Sequence, residues 1–349
     1  MSETVPSVTV LIAARPQQGE IGALAAGRAL DYPPEKLEII VARGKQPSVQ
    51  RNAGLNAARG ELVYFLDDDS VPLSSNLRRV VGHFAAPAVK MVGGPNCCPP
   101  DAPELEQVFA LVLGNWLAFG PSRARYTPVG LRRDTSEKEL ILCNLLARRD
   151  ALLELGGFNE ALYPNEENAL RDELQKRGGK LIYDPEFFVY RRPRANLKAF
   201  AKMLRTYGRG RAEQFRLHPT PGSALNFVPP LFCIYLAIVA AIWISAPWLP
   251  WLATLRAYTL IPLVIYALVV LGQVPALVRR GGLAHSVAAL PLIVLSHVLY
   301  GAGFLRGLIT KFKPVEHGKI HAQVMLETVS VKSNEAPGLD KSDPALRRS

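Results

Sequence analysis

The sequence predicts an α/β domain built on a largely parallel sheet, followed by an α-helical transmembrane region. Three observations carry that expectation. Apolar, β-branched runs alternate with helix-like segments as far as about residue 190, one run ends in three consecutive acids, and no Asp, Glu, Lys or Arg lies between Leu217 and Leu255. Alternation of strand and helix argues for βαβ units whose ligands gather outside the carboxyl ends of the strands.

Taken in order, strands are expected at 8–14, 37–42, 62–66 and 89–93. The first connection, 17–30, repeats Ala, Leu and Ile at helical spacing; the second starts after Pro47, with Ser48 as N-cap, and ends near Gly60. Arg51 and Asn52 fall on its first turns, where a phosphate can meet a helix N-terminus and a cation; an ordinary surface turn would carry the same residues. The run Leu62, Val63, Tyr64, Phe65, Leu66 reads as a strand buried on both faces, and it stops at Asp67, Asp68 and Asp69. Three carboxylates there repel one another and lose solvation, so a cation or a polyhydroxyl ligand is expected to offset them, the alternative being a solvated acidic turn. Their hard oxygens suit Mg²⁺ or Mn²⁺, ions that also favour diphosphate oxygens. Strand alternation would put Asp67 and Asp69 on one side and Asp68 on the other.

Periodicity weakens between 95 and 138, apart from a helical patch at 104–119, and order returns at 140–149. Gly156 and Gly157 before Phe158 permit close backbone approach to a ligand, or end a helix. Glu166 and Glu167 open a helix-like stretch to Arg177; they read as a general base or as charge compensation at a helix N-terminus. Further strands are expected at 180–183 and 187–190.

Beyond Asn196 the character changes. Phe200, Met203, Leu204 and Tyr207 recur at helical spacing with Lys198, Lys202, Arg205 and Arg209 opposite, the pattern of a basic interfacial helix. Transmembrane helices are expected at 226–246, 257–277 and 284–305. Trp243, Trp248 and Trp251 suit an aromatic belt, and Arg279 and Arg280 a cytosolic loop. Three full spans would then leave Lys311, Lys313 and Lys319 outside, against the positive-inside rule. The tail after Val331 is polar and expected to be disordered.

A formal charge of +11 on a chain that is 49% hydrophobic suits an anionic membrane better than nucleic acid, and no base-reading motif accompanies it. Cys97, Cys98, Cys143 and Cys233 show neither Cys-x-x-Cys spacing nor a nearby His, which argues against a zinc site and for a reduced, cytosolic domain. The run 8–14 is too short for a signal peptide and reads as a first strand.

The ordered set Val8-Thr9-Val10-Leu11-Ile12, Leu37-Glu38-Ile39-Ile40-Val41, Gln50-Arg51-Asn52-Ala53-Gly54, Phe65-Leu66-Asp67-Asp68-Asp69, Asn144, Gly156-Gly157-Phe158-Asn159-Glu160 and Glu166-Glu167 resembles the family-2 inverting GT-A type glycosyltransferases. It looks most like their membrane-anchored, succinoglycan-type exopolysaccharide branch. The resemblance implies a GT-A (Rossmann-like) catalytic domain over 1–195, a basic interfacial segment over 196–225, about three transmembrane helices over 226–310 and a polar tail over 311–349. Residue by residue, it implies that Asp67 and Asp69 form the Asp-x-Asp metal site for Mg²⁺ or Mn²⁺, with Asp67 also on the nucleoside sugar and Asp68 beside them. Arg51, Asn52, Asp67, Asp68, Gly157 and Phe158 would take part in nucleotide-sugar binding. Glu167 falls at the base position, with Glu166 beside it. Two departures stand out: Ala42-Arg43 replaces an acid that relatives often use on the nucleobase, and Glu167 replaces the usual Asp.

The implied activity is transfer of a sugar from a nucleotide-diphosphate donor to a lipid-linked, polyprenyl-diphosphate acceptor at the inner membrane, in exopolysaccharide or cell-surface glycan synthesis. Two alternatives are a processive synthase and a catalytically degenerate membrane scaffold. No Trp occurs between Trp116 and Trp243, so the Gln-x-x-Arg-Trp signature of processive synthases is missing there.

Overall fold

A computed structural model describes residues 5–160, 166–217, 219, 221–249, 251–310 and 324–329. Its first half alternates as the sequence implies: β1 (Val8–Ala14), α1 (Gly22–Arg28), β2 (Leu37–Arg43), α2 (Pro47–Ala57), β3 (Leu62–Asp67), β4 (Val71–Pro72), α3 (Asn76–Val80) and β5 (Val89–Gly93). There follow β6 (Asn96–Cys97), α4 (Glu104–Leu113), α5 (Trp116–Phe119), β7 (Arg133–Asp134), β8 (Asn144–Arg148), α6 (Arg149–Glu154), α7 (Glu166–Lys176), β9 (Lys180–Tyr183) and β10 (Val189–Tyr190). Helices α8 (Leu197–Leu217), α9 (Val228–Ser245), α10 (Trp251–Leu271) and α11 (Val274–Ile309) come next, and then a last strand, β11 (Met325–Val329).

The main sheet has the order β11-β2-β1-β3-β8-β5-β9-β7. Strands β2, β1 and β3 are parallel, in a register that sets Ala14 beside Arg43 and Ala13 beside Asp67. Their carboxyl ends therefore form one edge, where the acids emerge. The sheet is mixed because β8 runs antiparallel to β3 and β5. One face packs Val10, Ile39 and Tyr64 under Ala23 of α1 and Leu77 and Val80 of α3; the other packs Leu11, Ile40 and Phe65 against α2, α6 and α7. Burial of that apolar area, at about 25 cal/mol per Å², is the main stabilising contribution. Gly54 allows α2 to lie close, since a Cβ there would stand 2.2 Å from Leu11 Cδ1. Helix α2 begins at Pro47, whose missing N–H suits the first helical position, and the expected cap Ser48 is instead buried inside the helix.

A third core joins the two halves of the chain. Phe200, Met203 and Leu204 of α8 meet Val108, Phe109 and Val112 of α4 and Ile293 of α11, with Phe109 and Phe200 stacked at 4.2 Å. The apolar stripe of α8, read as a lipid-binding face, is thus covered by protein; only its basic face is available to a surface. The segments Ala224–Ser245, Thr254–Leu271 and Val274–Ile309 are long and apolar enough to cross a membrane. Their bounds differ from the sequence expectation, because α10 ends at Leu271 and α11 continues through a break at Gly282 (φ 74°, ψ 175°).

Within the segment expected to be a polar tail, Met325–Val329 pairs antiparallel with β2 as an edge strand. Arg43 Nε donates to Glu327 Oε1 at 2.7 Å across that pairing. The tail after Val331 and the lysines at 311, 313 and 319 lie outside the described residues.

Candidate active site

Asp67 is the last residue of β3, and a turn closed by Ser70 N donating to Asp67 O (3.0 Å) carries Asp68 and Asp69 over the sheet edge. Arg51, buried on the first turns of α2, donates through Nη2 to Asp67 Oδ1 (3.0 Å) and through Nη1 to Glu166 Oε1 (3.1 Å). A single guanidinium thus ties the strand end to the start of α7. From the opposite side, Arg191 Nε donates to Asp69 Oδ1 at 2.5 Å while its Nη2 stands 3.2 Å from Asp67 Oδ2. The small sheet β4-β10-β6 sets this residue in place, since Arg191 follows β10 and its N–H donates to Cys97 O at 2.9 Å.

The carboxyls differ electrostatically. Burial pushes Asp67 up, but the charges of Arg191 and Arg51 outweigh it and hold the group below the ordinary carboxylate range. Burial, reinforced by the charge of Glu167, pushes Glu166 up to about 7 despite Arg51. Glu166 Oε2 is buried with no hydrogen-bond partner among the described residues. Two acids on one cation, driven apart in this way, suit an ionised ligand and a proton acceptor respectively. Glu167 faces a different environment: its charge acts on the buried guanidiniums of Arg125 and Arg171.

A cleft of about 210 Å³ opens at the strand ends, lined by Ala14, Arg15, Lys45, Gln50, Arg51, Asp67 and Asp68 among others. Its floor is fixed by Gln50 Nε2, which donates to Ala14 O (2.7 Å) and Ala42 O (2.6 Å). Asp67 and Asp69 do share a partner in Arg191, but Asp68 lines the cleft instead of facing away. Strand alternation ends at Asp67, so it does not govern the turn.

Asn52 and Phe158 form a structural pair. Asn52 Nδ2 donates to Phe158 O (2.9 Å) and Glu160 Oε1 (2.9 Å), and Phe158 N donates to Asn52 Oδ1 (2.8 Å). The Phe158 ring is buried edge-on to Phe65 at 5.4 Å, so it packs in the core and does not line an open sugar pocket. Gly156 and Gly157 both have positive φ, 76° and 77°, and a Cβ on Gly157 would lie 2.5 Å from Asn52 Oδ1. Nothing in the motifs of the sequence points to Arg191. The available signal was its place one residue after a short strand.

The acids thus sit at the carboxyl edge of the sheet beside a cleft lined by Arg15, Lys45 and Arg51, and the N-terminal part is a GT-A-like α/β domain. Residues 28–152 match the family model described as Glycosyl transferase family 2. The chain is similar to the pre-mycofactocin glycosyltransferase of two strains of Mycobacterium tuberculosis, CDC 1551 / Oshkosh and ATCC 25618 / H37Rv, with 28% identity over 186 residues in each case. That alignment takes in 50% of this chain and 36% of the relatives, so the chain spans little more than a third of their length. Among solved structures it is similar to the mannosyltransferase PcManGT from Pyrobaculum calidifontis in complex with GDP-Man and Mn2+ (18% identity, TM-score 0.51, 88% of each chain), a likeness of fold.

Proposed function

We propose that this chain is a membrane-bound inverting glycosyltransferase that moves a sugar from a nucleotide-diphosphate donor to a lipid-linked, polyprenyl-diphosphate acceptor. The catalytic domain would work at the cytosolic face of the inner membrane, in exopolysaccharide or cell-surface glycan synthesis. The observation that carries the reading is the Asp67–Arg51–Glu166 bridge, which joins an ionised acid on the cleft wall, through the cleft-lining Arg51, to a raised and buried acid behind it. Glu166 is the base in this assignment: a carboxylate with a pKa near 7 accepts the acceptor hydroxyl's proton as that oxygen attacks the anomeric carbon opposite the diphosphate. Glu167 then serves to hold Arg125 and Arg171.

Asp67 and Asp69 are two hard carboxylates converging on Arg191, a donor set that fits Mg²⁺ or Mn²⁺. No group of three or more His, Cys, Asp or Glu among the described residues makes a metal site by itself, so in this reading the remaining ligands would come from the donor diphosphate. Bound there, the ion supplies charge neutralisation for the leaving diphosphate. Arg15 and Lys45 on the cleft wall add positive charge for the donor. The name of the curated relatives makes pre-mycofactocin a second acceptor class to screen.

The test is nucleotide release by detergent-purified protein from a panel of nucleotide-diphosphate sugars, with Mg²⁺ or Mn²⁺ and lipid-diphosphate acceptors. Release by the wild type, lost in Asp69→Ala and Glu166→Gln, supports the assignment. Absence of binding and turnover with every donor and either ion would favour the scaffold reading.

A further inference from the structure

Three segments have the composition of membrane spans, yet the strand after them returns to the catalytic sheet. Strand β11 pairs with β2 from Met325 opposite Arg43 to Val329 opposite Ile39. The chain therefore ends its helical region on the side of the membrane where it began, and the number of crossings between α8 and β11 must be even. The stretch 311–323 cannot supply a fourth crossing: it is 13 residues long and contains Lys311, Lys313, Pro314, Glu316 and Lys319. One of the three apolar helices does not cross.

The contacts identify it as α11. Near its start Arg280 donates to Gly114 O (2.8 Å) and Thr127 Oγ1 (2.7 Å), and His285 meets Glu104. Further on, His297 Nε2 lies 2.9 Å from Leu117 O. From there α11 runs alongside α8 with backbones touching: a Cβ on Gly303 would fall 2.2 Å from Arg205 O, and one on Gly307 2.5 Å from Arg209 O. The step from 205 to 209 matches the step from 303 to 307, so the two helices are parallel. If α11 entered the hydrocarbon, α8 would have to follow with Lys198, Lys202, Arg205, Arg209, Arg211 and Arg216, which is prohibitive for so many charges.

Helices α9 and α10 behave differently. Only 6% of each apolar window is buried, against 33% for α11. They touch α11 at their roots, through Cys233 Sγ donating to Val298 O (3.4 Å) and Tyr266 OH at 2.7 Å from His297 Nδ1. Farther out they hold each other, Trp243 Nε1 donating to Thr259 Oγ1 at 3.1 Å and Arg256 Nη2 to Trp243 O at 2.8 Å. At about 1.5 Å per residue, helices of 18 and 21 residues match a hydrocarbon core of roughly 30 Å.

We infer that α9 and α10 alone cross the bilayer, as a hairpin with Trp248 at its far tip, while α8 and α11 lie along the headgroups of one leaflet and β11 rejoins the sheet on that side. The partner of the α8–α11 layer is an anionic lipid surface, met by the basic face of α8. This arrangement places Arg279 and Arg280 on the side of the basic helix α8, as the positive-inside rule requires. It rests on the membrane half of the proposed function and is independent of the transferase chemistry.

Epitope tags at the N-terminus, after Trp248 and at the C-terminus of the full chain, probed with protease in sealed vesicles of both orientations, test it without any activity measurement. The two terminal tags should be cut in the same orientation and the Trp248 tag only in the other. A C-terminal tag opposite the N-terminal one, or a Trp248 tag on the same side as both, overturns the inference. As a second measurement, Arg43→Cys with Met325→Cys in intact membranes should form a disulfide detectable as a mobility shift, since directly opposed antiparallel residues lie within disulfide reach. Failure to crosslink under oxidation would remove the strand pairing on which the parity argument stands.

Discussion

Arg191 donates to Asp69 at 2.5 Å, so the acid assigned to the metal ion is closed by a cation of the same chain. An arriving divalent ion and this guanidinium compete for one carboxylate. Asp69 is about half exposed, which moderates the strength of that pair. Arg191→Ala should therefore lower the Mn²⁺ concentration for half-saturation by about threefold to tenfold, an effect of the size of a partly exposed charged hydrogen bond. Loss of the free Mn²⁺ electron-paramagnetic-resonance signal on titration measures it directly. An unchanged or weakened affinity would place the ion elsewhere.

Activity should rise with pH through about 7. Glu166 accepts a proton only when ionised, and its carboxyl is raised to about 7, so the competent fraction is present above that pH and is lost as pH falls through it. The pH profile of kcat/KM should show this single ascending limb, against an ascending limb near 4.5 for an unperturbed carboxylate.

Glu166→Gln should cost roughly 10²–10⁴-fold in kcat and abolish the limb near pH 7, the range for loss of a general base. Glu167→Gln should keep an ascending limb but shift it to lower pH, because the Glu167 charge helps raise Glu166, and should also lower stability, because it strips charge from beside buried Arg125 and Arg171. The opposite pattern in paired pH profiles would return the base to Glu167.

Removing Arg51 leaves Glu166 buried beside Glu167 without its cation. Arg51→Ala should move the ascending limb above 7 and destabilise the fold by about 3 kcal/mol, the scale for breaking a buried pair from one side. Thermal denaturation and the pH profile together separate this from a simple loss of donor affinity.

Gly157→Ala introduces a Cβ 2.5 Å from Asn52 Oδ1 at a φ of 77°. A cost of about 1–3 kcal/mol is expected from the strained backbone, seen as a lowered Tm. Gly156→Ala should cost only the backbone term, because nothing lies within 4 Å of its Cβ.

Much of this protein was legible from residue order alone. The run Leu62 to Leu66 ending in three acids located the strand and its carboxyl end, because a buried strand needs continuous apolar residues and acids cannot stay inside it. Apolar length likewise marked α9 and α10, the first of them free of charge. Only the tertiary structure decided which groups meet. Arg191 reaches Asp69 across 122 positions, and Arg51 reaches Glu166 across 115, separations at which sequence carries no periodic signal. Position in a motif does not separate Glu166 from Glu167 electrostatically; burial beside Arg51 does, because the pKa of a carboxyl depends on its solvation and neighbouring charges. The same holds for α11, which has the composition of a span and lies against the catalytic domain: hydropathy measures what a helix tolerates around it, and packing determines what surrounds it.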